Sequence, residues 1–391
     1  MIFIERLRAW LSALDAGRAL KVAVFVWFVY GSIIAGIVAV QPDVRTVTPE
    51  YRKASIEWWS GKPIYKARIH GYLYFPQCAI LYTPITMLPL RVGEPLWRLL
   101  GIGLLAWSIW RLCGFYGGAR RNVWFLIATA AVIPATLSSA RNGQANLQMA
   151  GLMALAAFDF GRAAWNCGVA TLLLTVVLKP LGIVPCLLAG ACYLRKTVWR
   201  FFVGLLILVA ISFLHWNFRF VVHQYELFIE TMKIASQPDK PDFCDIQGLL
   251  LVSGIHLPVM VLTAVRATAA LGTLWLAMLA VLRYDHARGA FVCLLLAAWY
   301  LLLFNPRTET NSYVLLAPFV GVLVAAAVFH AGSAVRFAGM ACFALILSCE
   351  NWGPLHHLTN LWLKAAATLA LGGFLIWDIT RNCDPLGLER E

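Results

Sequence analysis

The most informative segment of the sequence runs from Asp43 to Leu90 and reads DVRTVTPEYRKASIEWWSGKPIYKARIHGYLYFPQCAILYTPITMLPL. Acidic, basic, aromatic and proline residues occur throughout it, whereas most of the surrounding sequence is apolar. A membrane-spanning helix needs about 20 consecutive apolar residues, so this segment is no span. It is also too long and too rich in Trp and Tyr to be a simple connection. We expect it to form the water-exposed half of a site carried by a helical membrane protein.

The full sequence has the composition of an integral membrane protein. Of its 391 residues, 61% are hydrophobic and 13% are charged, whereas soluble domains are about half apolar and about a quarter charged. The mean hydropathy is +0.75. Because the apolar runs are far longer than a strand, they predict an all-α, polytopic transmembrane protein rather than an outer-membrane barrel.

The charge and the cysteines exclude several other classes of protein. In a soluble chain the formal net charge of +13 would indicate nucleic acid as a partner. Lys and Arg collect at the cytoplasmic ends of membrane helices, so we expect no nucleic-acid partner here. The ten cysteines form no CxxC pair, and adjacent histidines such as His356 and His357 rarely chelate one ion. We therefore expect no disulfide framework, no metal and no cofactor.

The alternation of apolar runs with basic turns predicts the topology. Basic residues precede the first run, from Leu20 to Val40, which places the N-terminus in the cytoplasm. About twelve spans, within a range of about 10–13, then form a single membrane domain over residues 1–391 and return the C-terminus to the cytoplasm. Two polar loops, residues 41–95 and 217–249, lie on the extracytoplasmic side. The first contains an interfacial helix with Thr48 as its candidate cap.

Five short motifs resemble glycosyltransferase family 87. The two longest, in the first loop, are Y-x-x-A-x-x-x-x-W-x-G-x-x-x-Y and Y-F-P-x-x-A-x-L-Y-x-P-x-x-x-L-P. Three shorter ones follow in order: G-Q-x-N-L, L-K-P and N-P-R-x-E-x-N-x-Y. They lie at Tyr51–Tyr65, Tyr74–Pro89, Gly143–Leu147, Leu178–Pro180 and Asn305–Tyr313. The resemblance covers roughly residues 20–330, and the order and spacing of the motifs make it specific.

This resemblance implies a fold and an activity. Family 87 consists of bacterial membrane enzymes and includes polyprenyl-phosphate-mannose-dependent α-mannosyltransferases. It implies a GT-C-like architecture with an extracytoplasmic active site in the bacterial inner membrane. The implied reaction moves a hexose, with mannose as the expected sugar, from a polyprenyl-phosphate sugar donor to a lipid or glycan acceptor with inversion. Membrane lipids are the implied surroundings, and neither a nucleotide nor a metal is implied.

A carboxylate is the first residue that such a transfer needs, because the acceptor hydroxyl loses its proton as it attacks the sugar. The family usually keeps its acid at the position that Thr48 occupies here. The candidate catalytic acids are therefore Asp43 and Glu50, which lie close by, and Glu309, which Arg307 would hold ionised. Asp43 and Glu50 could instead be solvated charges, and Glu309 could form a structural ion pair.

Positive charge on the predicted outer face provides candidates for binding the donor phosphate, because charge grows on the leaving oxygen. These candidates are Arg45, Arg52, Arg141, Lys179 and Arg307. A second set can bind the sugar or the acceptor: Tyr51, Tyr74, Gln144, Asn146, Asn311 and Tyr313. The amides could equally join helices by hydrogen bonds, and the tyrosines could form an interfacial aromatic belt.

Two other functions stay open at this point. A flippase or transporter for a lipid-linked glycan would need polar residues through the depth of the membrane, and no internal repeat of the kind found in secondary transporters stands out. A glycan polymerase or ligase would share the large outer loops and their arginines. The clustering of polar segments on one predicted face favours the transferase over the transporter.

Overall fold

Helices make up all the regular structure in the part of the chain that the computed structural model describes, residues 2–66, 71–235, 243–329 and 334–381 with Cys383 and Leu386. The α-helices there are α1 (Ile2–Ser12), α2 (Ala16–Val40), α3 (Thr48–Trp59), α4 (Pro76–Thr86), α5 (Leu90–Tyr116), α6 (Arg121–Asn142), α7 (Asn146–Gly161), α8 (Trp165–Leu178), α9 (Ile183–Cys192), α10 (Leu194–Ser212), α11 (Phe218–Ala235), α12 (Ile246–Val252), α13 (Val259–Arg283), α14 (His286–Phe304), α15 (Ala317–Phe329), α16 (Ala334–Ile346), α17 (Leu355–Thr359) and α18 (Leu363–Arg381). Short 3-10 helices cover Gly118–Arg120, Pro180–Gly182, Thr310–Leu316 and Cys349–Asn351.

The prediction of an all-α, polytopic membrane protein is confirmed. Among the described residues, seven helical segments are long and apolar enough to cross a membrane. They are Ala16–Val40, Leu90–Tyr116, Gly118–Asn142, Val259–Arg283, His286–Phe304, Thr310–Phe329 and Leu363–Arg381. The other five predicted spans coincide with α7, α8, α9, α10 and α16. Four of these helices are shorter than 18 residues, and α10 begins with a run of basic residues.

The core of the bundle is formed by α7, α14 and α15, which are apolar on all sides and almost fully buried. Small residues allow their neighbours to approach closely. A Cβ at Gly151 on α7 would lie 3.1 Å from the backbone nitrogen of Leu105 on α5, and one at Gly321 on α15 would lie 2.7 Å from Val132 on α6. By contrast, α2 and α13 expose most of their apolar side chains, as helices that face lipid do.

The first polar loop folds into two helices, α3 and α4, which pack against each other. Pro49 occupies the first turn of α3, where its missing N–H costs no hydrogen bond. Tyr51 and Trp58 are buried on one face. The N-cap residue is Val47 rather than the expected Thr48, because the hydroxyl of Thr48 is directed to a carboxylate on α5.

A buried ion pair joins this loop to the bundle. The next helix, α5, begins at Leu90, inside the predicted loop 41–95. Glu94 in its second turn and Arg98 in its third turn form an ion pair: Arg98 Nη1 lies 2.7 Å from Glu94 Oε2, and the side chains of Arg98 and Glu94 are 1% and 2% exposed. The carboxylate of Glu94 also accepts hydrogen bonds from Thr48 Oγ1 and Tyr82 Oη. The pair therefore fixes α3 and α4 against the start of α5.

The same two turns of α5 hold the connection between α6 and α7. Gly143 ends α6 with φ of 71°, a conformation that favours glycine. A Cβ there would lie 2.8 Å from both Arg98 Nη2 and Thr48 Cγ2. The indole of Trp97 donates a hydrogen bond to the Gly143 carbonyl at 2.9 Å. Because these contacts fix the turn, they also fix Gln144, the residue that follows it.

The variant Arg98→Met should destabilise the fold by about 3–5 kcal/mol, because it leaves the buried carboxylate of Glu94 without its partner. The melting temperature of the detergent-solubilised protein, followed by tryptophan fluorescence, measures this loss. Adding Glu94→Gln should restore part of the stability, because a neutral amide can still accept from Thr48. If Arg98→Met alone has the same melting temperature as the wild type, the ion pair does not have the assigned stabilising role.

Candidate functional site

A cavity of about 370 Å³ lies where α11, the segment before α4, the α8–α9 connection and the loop after α14 come together. Five of the predicted site residues line it: Tyr74, Gln144, Lys179, Arg307 and Glu309. Apolar side chains, among them Leu73, Leu181 and Met232, form the rest of the wall together with Pro180, Ala235, Asn305 and Pro306. The cavity is thus a charged site with an apolar side.

Lys179 reaches the cavity because the chain breaks between two short helices. Pro180 restricts the preceding residue to an extended conformation, and Lys179 has φ of −153° and ψ of 136° where α8 ends. Gly182 then packs against the end of α8 so closely that a Cβ would lie 2.4 Å from the carbonyl carbon of Thr175. This break directs the lysine side chain away from the helix axes and into the cavity.

Glu309 lies on a loop whose backbone is held on both sides. The carbonyl oxygen of Thr308 accepts a hydrogen bond from the Cys244 amide at 2.8 Å. The carbonyl oxygen of Thr310 accepts one from Lys364 Nζ at 2.9 Å. Since the residues before and after Glu309 are both bonded to other elements, the position of its carboxylate is defined by the fold.

Amide side chains orient that carboxylate. Gln144 Nε2 donates to Glu309 Oε2 at 2.6 Å, and Asn146 Nδ2 donates to Gln144 Oε1 at 2.6 Å. Asn146 Nδ2 also lies 3.0 Å from Asn311 Oδ1. Because the oxygen of Gln144 is occupied by Asn146, its nitrogen faces Glu309 and matches an ionised carboxylate, which only accepts hydrogen bonds.

The charge of Glu309 affects the pKa of both cations that line the cavity, Lys179 and Arg307. Burial lowers the pKa of Lys179 below its ordinary value, the charge of Glu309 opposes this effect, and the charge of Arg307 adds to it. Burial also lowers the pKa of Arg307, again against the effect of Glu309. The Arg307 guanidinium donates to the Ala235 carbonyl at 3.1 Å. Among the described lining residues, one carboxylate and two cations therefore lie together, a set that can bind an anion and accept a proton.

Tyr74 lines the side of the cavity next to α3, and Tyr51 on α3 contacts it. Tyr51 Oη donates to Tyr74 Oη at 2.8 Å, and the rings meet edge to face with their centres 4.9 Å apart. The backbone amide of Ala145 donates to Tyr51 Oη at 3.4 Å. Burial raises the pKa of both tyrosines, so they remain neutral hydrogen-bonding groups.

Three predicted site residues near α3 lie away from the cavity. Asp43 and Arg45 are exposed in the turn that precedes the helix. Arg52 donates to the carbonyl oxygens of Thr86 and Leu88 at 2.8 and 3.1 Å. Carbonyls at the end of a helix lack partners within it, so Arg52 completes the C-terminus of α4.

Three more predicted residues are not part of the lining of this cavity. The carbonyl of Arg141 accepts a hydrogen bond from Arg98 Nε at 3.2 Å. The hydroxyl of Tyr313 is buried and donates to the Cys244 carbonyl at 2.8 Å. Glu50 is exposed on α3 and lines a second, separate cavity. The structure thus brings together one of the three candidate acids with two of the five candidate cations.

Sequence analysis missed the pair Lys364 and Glu350. Lys364 is 1% exposed, and its Nζ lies 3.3 Å from Glu350 Oε2. The same ammonium group holds the Thr310 carbonyl beside Glu309. A lysine in the first turn of an apolar span could have drawn attention to this position, because a charge within a span is a functional hypothesis by default.

Replacing Lys364 by Met should loosen the loop that carries Glu309, because the Thr310 carbonyl loses its donor. Hydrogen–deuterium exchange should rise in the peptide covering residues 308–313 while peptides of the buried α14 stay protected. The matched control is Lys62→Met at an exposed position in the first loop. Equal exchange of the 308–313 peptide in both variants would show that Lys364 does not hold the loop.

A comparison with known proteins identifies the family of the chain. The sequence profile of glycosyltransferase family 87 matches residues 72–306, which is more than half of the chain. The match includes Tyr74, Gln144 and Lys179 and ends just before Arg307 and Glu309. No match to a curated protein was found. The chain therefore belongs to glycosyltransferase family 87 and is a membrane glycosyltransferase.

Proposed function

We propose that the protein transfers a hexose, with mannose as the expected sugar, from a polyprenyl-phosphate donor to a lipid or glycan acceptor. The transfer inverts the anomeric carbon and takes place at the extracytoplasmic face of the bacterial inner membrane, on a GT-C-like scaffold. The observation that carries this proposal is the cavity in which Glu309 lies together with Lys179 and Arg307. A carboxylate beside two cations is the set of charges that this transfer requires.

The proposed reaction is a direct displacement. The acceptor oxygen attacks the anomeric carbon of the donor, and its proton passes to the carboxylate of Glu309. The bond between the anomeric carbon and the phosphate oxygen breaks, and its electron pair stays on that oxygen. Lys179 and Arg307 stabilise the negative charge that grows there. Arg307 can also bind two phosphate oxygens at once through its planar donor geometry.

The remaining walls of the cavity suit a lipid-linked donor. Gln144 orients the carboxylate, and Tyr74 offers a neutral hydroxyl to the sugar. Leu181 and Met232 provide apolar surface for the first isoprene units and keep water from the reacting carbon. A lipid-linked donor also explains why a membrane-embedded site needs no nucleotide-binding fold.

Purified protein incubated with radiolabelled polyprenyl-phosphate mannose and lipids from bacterial membranes tests the function. We expect label to appear in a second lipid or glycan. If all label stays in the donor, the transferase proposal fails. Movement of a labelled lipid-linked glycan across proteoliposomes without new glycosidic bonds would instead support the flippase.

The variant Glu309→Gln should lower kcat by a factor of about 10² to 10⁴, because it removes the proton acceptor. The donor KM should change little, since the amide keeps the shape of the side chain. Asp43→Asn removes another candidate acid, which is exposed in a turn, and we expect it to keep most of the activity. If Asp43→Asn abolishes the activity and Glu309→Gln keeps it, the catalytic base is Asp43 in the first loop.

The donor KM should rise at alkaline pH. Because burial lowers the pKa of Lys179, its ammonium group loses its proton below the ordinary lysine value of about 10.4. The positive charge is present below that pKa and is lost as the pH rises through it, so phosphate binding weakens. Lys179→Arg should abolish the alkaline rise, because a guanidinium stays protonated. An unchanged rise in that variant would assign the titration to another group.

A further inference from the structure

A second cavity, of about 200 Å³, lies on the outer side of α3. Four residues of α3 line it at helical spacing, Glu50, Lys53, Ala54 and Glu57, so they belong to one face. The opposite wall consists of Ile64, Lys66, Gly71, Tyr72 and Thr231. Nothing in the proposed chemistry of the first cavity uses these side chains.

The two cavities share a wall. Tyr72 lines the second cavity, and the next residues, Leu73 and Tyr74, line the first. On α11, Thr231 lines the second cavity and Ala235 lines the first. Four helical residues correspond to a rise of about 6 Å. A molecule bound in the second cavity therefore lies one helical turn from the proposed donor site.

One lining group indicates what kind of ligand fits. Thr231 is 2% exposed, and its hydroxyl has no hydrogen-bond partner among the described residues. A buried hydroxyl without a partner costs stability, and a ligand hydroxyl in the cavity would provide one. An apolar chain would leave Thr231 unsatisfied and would desolvate the charged side chains of α3 as well.

The charged groups indicate a neutral, hydroxyl-rich ligand. The carboxylates of Glu50 and Glu57 accept hydrogen bonds from hydroxyl groups, and the ammonium groups of Lys53 and Lys66 donate them. Among the described lining residues the two signs balance, and Lys53 Nζ lies 4.0 Å from Glu57 Oε1. In the first cavity the described lining residues carry two cations and one carboxylate, so an anionic phosphate is better matched there.

We propose that the second cavity binds the sugar head group of the acceptor. The inference rests on the proposed function, because it takes the first cavity as the donor site. Glu50 and Thr231 hold hydroxyl groups of the acceptor ring, and the attacking hydroxyl reaches past Tyr74 to Glu309. The ligand class is a neutral polyhydroxylated ring at the polar end of a lipid or glycan.

Octyl α-mannoside carrying a photoreactive diazirine on its sugar is the probe. After irradiation of the full-length protein, we expect label in the peptides that contain Glu50 and Thr231, and excess octyl α-mannoside should compete it away. Glu50→Gln and Thr231→Val should each weaken the labelling roughly ten-fold, since Glu50→Gln replaces a charged hydrogen-bond acceptor by a weaker neutral one and Thr231→Val removes the hydroxyl. The control is Glu226→Gln, on an exposed part of α11. Label in other peptides only would overturn the inference.

Transfer kinetics with octyl α-mannoside as the acceptor separate this inference from the proposed function. In Glu50→Gln and Thr231→Val, the acceptor KM should rise roughly ten-fold and the donor KM less than about two-fold. If transfer occurs and neither variant changes the acceptor KM, the acceptor site is wrong and the transferase stands. If no transfer occurs but the probe labels this cavity, the sugar site stands and the proposed reaction fails.

Discussion

The buried ion pair of Glu94 and Arg98 is the contact on which the outer half of the structure depends. Removing two charges from water is favourable only when their remaining hydrogen bonds are satisfied. Thr48 and Tyr82 supply these bonds to the carboxylate, so α3 and α4 are tied to the start of α5. The same helix turns hold the connection that leads to Gln144. The pair thereby positions both a wall of the first cavity and the amide that donates to Glu309.

The fold could be predicted because the length and polarity of an apolar run are local properties of a sequence. Whether a helix is buried and which charges form ion pairs depend instead on segments that are distant in the sequence. Glu94 lies near the end of the predicted polar loop 41–95, where a charge is normally solvated, and Arg98 lies three residues beyond that loop. Only the packing of α3 and α4 over them makes them a buried pair. Arg52 is a similar case, because the carbonyls that it caps belong to another helix.

The candidate site could be predicted in part, because some of its residues are recognisable from their local sequence alone. Lys179, Gln144 and Glu309 stand out in the sequence as polar residues at the ends of apolar runs, which is where the chain leaves the membrane. Their meeting in one cavity depends on contacts between distant segments, such as the hydrogen bond between Gln144 and Glu309. Lys364 could not be connected with Glu309, because its contact to the Thr310 carbonyl crosses from the last helix to a loop.

The break between α8 and α9 has a consequence for the surrounding bilayer. With 14 residues, α8 is about 21 Å long, whereas the hydrocarbon core is about 30 Å thick. Leu174, Ile183 and Leu187 expose apolar surface beside the break, so this edge of the protein is too short for an undisturbed membrane. A bilayer surrounding this edge would thin there or would hold Lys179 beneath the headgroup plane. In either arrangement, the phosphate of the proposed donor would meet Lys179 deeper than the surrounding headgroups and already partly stripped of water.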